Sequence, residues 1–142
     1  MDFSITRLVL RRHTKKDRNV RKRPIFFCYD VDKDQRLLEP FTKILGRPDS
    51  PFVLKGQSAK LTEPARTWEY NTGQLIHQCE IVILIVGQFT FEAPGVLKEV
   101  AMAVDEEIPI IQIAGYKNVT LKPVRGAGQV IPWNWEALKK MI

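Results

Sequence analysis

Ile81-Val82-Ile83-Leu84-Ile85-Val86, closed by Gly87, and Ile108-Pro109-Ile110-Ile111-Gln112-Ile113 are the stretches that decide the fold. Each is a run of mostly β-branched apolar residues, the pattern of a strand covered on both faces, as in parallel sheets. Between them Val96, Leu97, Val100, Ala101, Ala103 and Val104 recur at helical spacing. This segment therefore reads as the crossover helix of a right-handed βαβ unit. Its N-terminus must open at the carboxyl edge of the sheet, where open α/β sheets hold their ligands.

Glu99 lies one turn into that helix. At about 100° per residue it falls on the rim of the apolar stripe, away from an outward face of Lys98, Met102 and Asp105. A carboxylate there can look into the crevice. The same position also suits a solvated acid favoured by the helix dipole, so spacing alone does not make Glu99 catalytic.

Outward from this unit, Ile25-Phe26-Phe27-Cys28-Tyr29 reads as the first core strand, ending in Asp30, Asp32 and Asp34, with Asp32 a suitable helix N-cap. Leu37, Leu38, Phe41, Ile44 and Leu45 follow at helical spacing to Gly46, with a kink or restart expected at Pro40. Phe52-Val53-Leu54 reads as a second strand stopping at Lys55 and Gly56, before a polar loop from Gln57 to Pro64. A helix is expected from about Arg66 to Gln78, with Trp68, Leu75, Ile76 and Cys79 on one face. Gly115 to Gly128 is a basic loop, Val130-Ile131 an edge strand, and Asn134 the cap of a last helix burying Trp135, Leu138 and Met141 or Ile142. The order predicts a flavodoxin-like α/β three-layer sandwich with a five-stranded parallel sheet.

The 142 residues suit one domain, and 44% hydrophobic with 27% charged is a globular composition. No apolar run approaches the roughly 20 residues of a membrane span, and the start lacks the pattern of a secretory signal. The expected location is cytoplasmic, with no membrane partner. Cys28 and Cys79 read as reduced, buried thiols, and no metal site is expected. Of the net charge of +6, residues 1 to 23 hold nine basic and two acidic side chains, which leaves residues 24 to 142 close to neutral. Such a basic arm can hold nucleic acid or an acidic partner through counterion release; a solvated or partner-docked extension is its commoner role.

The crevice loops exclude several chemistries. The acidic loop Asp30-Val31-Asp32-Lys33-Asp34 would repel a phosphate cradled as in flavin sites. A phosphate-accepting receiver domain would need an Asp closing the third strand and a Lys closing the fifth, where Gly87 and Pro132 stand. There is no Walker loop and no Ser/His/Asp set, since His13 lies in the arm and His77 at a helix end.

Phe26-Phe27-Cys28-Tyr29-Asp30-Val31-Asp32 resembles the opening strand of TIR domains. Leu61-Thr62-Glu63-Pro64, the strand from Ile81 to Gly87, Glu99 and above all Val130-Ile131-Pro132-Trp133-Asn134-Trp135 resemble the TIR-like family that includes the Thoeris anti-phage signalling component. The resemblance covers residues 24 to 142 and leaves the arm outside. It implies a cytoplasmic signalling enzyme that cleaves NAD, as substrate and without a cofactor, at the nicotinamide-ribose bond, acting as hydrolase or ADP-ribose cyclase. It implies further that Glu99 is catalytic, and that Phe27, Tyr29, Asp30 and Lys55 contact or close over the substrate. Trp68 would form a wall, although core packing is the commoner role of such an aromatic. A homo-oligomer or TIR-TIR assembly would complete the pocket. Gly95 stands where many catalytic relatives carry Trp, and Cys28 where Ser is common. Gly95 is the sequence argument for the alternative, a non-catalytic TIR-like protein-interaction module.

Overall fold

Five strands pair into one parallel sheet in the computed structural model, which describes residues 21–141. They are β1 (Arg23–Cys28), β2 (Phe52–Gln57), β3 (Ile81–Val86), β4 (Ile110–Ala114) and β5 (Val130–Ile131), in spatial order β2-β1-β3-β4-β5. The helices among the described residues are α1 (Leu38–Leu45), α2 (Ala65–His77), α3 (Pro94–Asp105) and α4 (Trp135–Lys140). This is the doubly wound, flavodoxin-like arrangement expected from the sequence. The reading of a basic arm with a nucleic-acid or acidic partner falls mostly on residues 1–20, outside the described residues. Arg23, placed in that arm by sequence, is already in β1, with its Nε 2.9 Å from Glu80 Oε1.

Strand parity divides the core in two. Ile25, Phe27 and Tyr29 face a cluster with Phe41, Leu45 and Leu138. Phe26 and Cys28 face the opposite way, into a cluster with Ile76, Val96, Val100 and Ala103. All six residues of β3 are buried, as a central parallel strand requires. No helix among the described residues is long and apolar enough to cross a membrane.

Several local expectations need correction. A single 3-10 turn at Gln35–Leu37 precedes α1, so Pro40 lies in the first turn of α1, where its missing amide breaks no helical bond. Asp32 is therefore too far ahead to cap the helix, and its amide instead donates to Asp30 Oδ1 at 3.2 Å. β2 continues to Gln57 because the register skips Lys55, pairing Ile25 with Leu54 and Phe26 with Gly56. Asn134 does cap α4, its Oδ1 accepting from the Ala137 amide at 2.9 Å. Leu138 is buried, whereas Met141 lies past the end of this short helix and is 43% exposed.

The face of α3 also differs. Glu99 sits in the middle of the buried stripe Val96, Glu99, Val100 and Ala103, while Leu97, Ala101 and Val104 are exposed. Contacts with α2 accompany this rotation: Lys98 pairs with Glu69, Met102 lies by Gly73, and Glu106, just past the helix, pairs with His77. Those contacts occupy the 98–102–106 flank, where Met102 is half-buried, while Glu99 is buried on the side facing the sheet.

One buried amide organises the helix-free connection from β4 to β5. Gln112, 1% exposed, donates through Nε2 to Gly128 O at 2.8 Å and accepts the Val124 amide at Oε1. The loop backbone thus satisfies a polar side chain in the core, and Val124 and Ala127 are carried into the second cluster.

Gly115 tests the tightness of the carboxyl edge. A Cβ there would lie 2.8 Å from Leu37 Cδ1, 2.9 Å from Ile85 Cγ2 and 2.9 Å from Val86 O, the carbonyl that accepts the Gly115 amide. The side chains can yield but that carbonyl cannot move without loosening the bond. Gly115→Ala should lower urea-unfolding stability by about 1–3 kcal/mol. Gly46→Ala, where the nearest contact is an ordinary 3.5 Å, should stay within about 0.5 kcal/mol of the parent. Equal effects at the two positions would contradict this packing.

Candidate active site

Three loops meet at the carboxyl edge between β1 and β3, where the order of strand addition reverses. They enclose a concavity of about 600 Å³, at the place where such sheets bind ligands. Tyr29 to Lys33 supply one wall, Ser58 to Leu61 after β2 a second, and Phe89 with Glu92 to Val96 a third. Glu99 reaches the concavity from inside α3.

The carboxyl group of Glu99 is held from two directions. Ser58 Oγ donates to Oε1 at 2.6 Å, and Cys28 Sγ donates to the same oxygen at 3.1 Å. Ser58 is itself fixed: its Oγ accepts the Tyr29 amide at 3.0 Å, and its own amide donates to Phe27 O at 2.9 Å. Oε2 accepts no hydrogen bond among the described residues, and Glu99 is one of the residues lining the concavity, so Oε2 is the oxygen left for a ligand there.

Burial of Glu99, 1% exposed, pushes its carboxyl up to about 7, because the charged form loses hydration. The bonds from Ser58 and Cys28 favour the carboxylate and oppose that rise. Burial and the neighbouring Glu99 charge raise the Cys28 thiol well above its ordinary range, so Cys28 serves as a protonated donor. Burial, reinforced by Asp34, also raises Asp30. The site can therefore hold a proton, or a negative charge of low hydration, near neutral pH.

Of the other residues singled out from sequence, Asp30 and Tyr29 line the concavity, Tyr29 with its ring turned to the opposite face, stacked on Phe27, and its hydroxyl donating to Gln35 Oε1. Phe27 does not: strand parity sends its ring to the opposite face, stacked on Tyr29 at 5.1 Å and on Phe41 at 4.4 Å between centroids. Lys55 is exposed on β2, outside the lining, with its charge near Cys79. Trp68 stands behind the wall. Its Nε1 donates to Ala59 O at 3.3 Å, and its ring edge would be 3.8 Å from a Cβ at Gly95. Sequence reasoning missed Ser58 as a partner of Glu99. It also left Cys28 without a role, although strand parity places Cys28 on the α3 side of the sheet.

A second concavity, of about 620 Å³, opens on the opposite face beside α1, with Phe41, Tyr116 and Trp133 among its lining residues. It is marginally larger but holds neither Glu99 nor Asp30, so the buried carboxyl groups belong to the first. Asp34 joins the two regions: Tyr116 OH donates to Oδ1 at 2.7 Å, and Thr90 Oγ1, which accepts the Gly87 amide, lies 3.4 Å from Oδ2. Among the described residues no three His, Cys, Asp or Glu side chains converge as a metal site, and both cysteines are free.

Compared with known proteins, the chain matches no family model and no curated sequence.

The raised carboxyl of Glu99 links stability to pH. The folded state holds this proton more tightly than the unfolded chain, whose value is about 4.5. Stability must therefore fall as pH rises from about 4.5 to about 7, and then level off. Glu99→Gln keeps the acceptor for Ser58 and Cys28 but cannot ionise. It should match the parent near pH 4.5 and exceed it by up to about 3 kcal/mol at pH 8, measured by urea unfolding across pH. Parallel curves for the two proteins would contradict the assignment.

Proposed function

We propose that this chain is a TIR-like enzyme that consumes NAD by breaking the nicotinamide-ribose bond, in signalling or anti-phage defence. The observation that carries the reading is Glu99: a carboxyl group in the buried stripe of α3, with one oxygen held by two donors and the other open to the concavity. The family resemblance read from sequence adds the substrate; the geometry supports a site able to stabilise positive charge.

The rest of the concavity suits such a substrate. Phe89, 45% exposed, offers a flat face at the rim with Lys33 Nζ 5.2 Å from its centroid, and Lys60 is exposed on the opposite loop. Aromatic surface and cations at the mouth suit a base and a pyrophosphate, while carboxyl groups inside suit a ribose and a cationic ring. On cleavage, the C1′–N bond breaks and its electron pair leaves with nicotinamide, which becomes neutral. Positive character then develops on the ribose, where the Glu99 carboxylate stabilises it in a site of low hydration. Water or an adenine nitrogen closes the deficit at C1′; with water, the lost proton can pass to Glu99 Oε2 or to solvent.

The alternative, a module acting by protein contact, is favoured by one surface. Leu97, Ala101 and Val104 leave an apolar stripe on the outside of α3, with Leu97 41% and Val104 50% exposed. Purified protein incubated with NAD over a range of protein concentrations distinguishes the two. The enzyme reading expects free nicotinamide and at least about a hundredfold loss of release in Glu99→Gln, the scale of removing a principal electrostatic stabiliser. No release at any concentration, beside a stable homotypic complex, would establish the module instead.

A further inference from the structure

Among the described residues, Glu99 is the only carboxyl reaching the concavity that is held by two side-chain donors on one oxygen, and the way Ser58 holds it goes beyond burial. A serine hydroxyl has one proton to give. The Tyr29 amide already points at Ser58 Oγ, which must therefore accept there and spend its proton elsewhere, at 2.6 Å on Glu99 Oε1. Cys28 Sγ donates to that same oxygen. With Oε1 receiving two donors, a proton taken up by the carboxyl group belongs on Oε2, the oxygen that no described residue engages, on a side chain that lines the concavity.

We propose that Ser58 is a positioning residue that fixes which oxygen of Glu99 meets the ligand, so that proton exchange and charge stabilisation both take place at Oε2. The inference rests on the reading of Glu99 as the site's working carboxyl group but not on the identity of the substrate. Ser58 is suited to the task because it is anchored twice at the end of β1, through Phe27 O and the amide of Tyr29 just after the strand. The loop after β2 thus transmits the position of the sheet edge to a side chain of α3.

The groups facing Glu99 are few. From β1 and the turn after it come Cys28, Tyr29, Asp30, Asp32 and Lys33; Lys60 lies on the loop of Ser58, and Glu92 lies before α3. Cys28 and Tyr29 are acids raised by burial and stay neutral near pH 7. Removing the Ser58 hydroxyl takes a donor from the charged form of Glu99, so its titration must move upward.

The test follows the Glu99 carboxyl carbon by NMR across pH in carbon-labelled protein, with Glu99→Gln assigning the signal. The parent should titrate near pH 7. Ser58→Ala should titrate higher by about one unit, the scale of one hydrogen bond to a charged group. Ser58→Thr, which keeps the hydroxyl, should return to within a few tenths of the parent. If Ser58→Ala does not fold, Ser58→Cys replaces it: its weaker donor should shift the titration in the same direction. A Ser58→Ala or Ser58→Cys titration coincident with the parent overturns the proposal. Because this readout needs no NAD turnover, its failure is separate from failure of the enzyme reading. If turnover is present, Ser58→Ala should lower kcat with KM little changed and carry the acidic limb of the pH profile upward. A change confined to KM would count against Ser58 as an aiming residue.

Discussion

A carboxyl group in the middle of a buried helical stripe must be satisfied by whatever the helix packs against, and the ends of β1 and β2 do this for Glu99. α3 places the group where a leucine would ordinarily lie, among Val96, Val100 and Ala103. Cys28 and Ser58 supply donors to one oxygen only. Taking a carboxylate out of water is costly unless it is paired or protonated, and no cation bonds to Glu99 among the described residues. The molecule carries this cost in the form of a raised carboxyl group and an oxygen left open to a concavity. Stability conceded at such a position is the usual companion of a working site.

The sheet edge is built to keep that concavity in shape. Asp34, buried after β1, clasps Tyr116 from beyond β4 and Thr90 from beyond β3. Gly87 must lack a side chain for this to happen, since a Cβ there would overlap the Asp34 carboxyl group. The clasp separates a titratable concavity on one side of the edge from an aromatic one on the other. Trp68 adds support from α2, bracing the loop of Ser58 through Ala59 O.

The sheet was legible because its strands are written in composition: β3 is apolar at every position, and β5 with its following cap is marked by Val130, Ile131 and Asn134. The α/β order and the place of Glu99 over the carboxyl edge followed from the period of α3. Its rotation did not. The stripe of Leu97, Ala101 and Val104 is as apolar as the one that is buried, and the neighbours from α2 that border the buried face are distant in sequence. Phe27 illustrates a different limit, for its parity relative to Cys28 was readable but which face holds α3 was not. Ser58 left no signal at all. It reaches Glu99 because the β1–β2 register skips Lys55, a long-range property that no local pattern records.

The central claim is that ligand chemistry takes place at the open oxygen of Glu99. A crystal structure of the protein with a non-cleavable NAD analogue tests it most directly. The account predicts the nicotinamide ribose in the concavity between Tyr29, Ser58 and Phe89, within hydrogen-bonding distance of Glu99 Oε2. An analogue seated in the aromatic concavity beside Trp133, with no contact to Glu99, would contradict it.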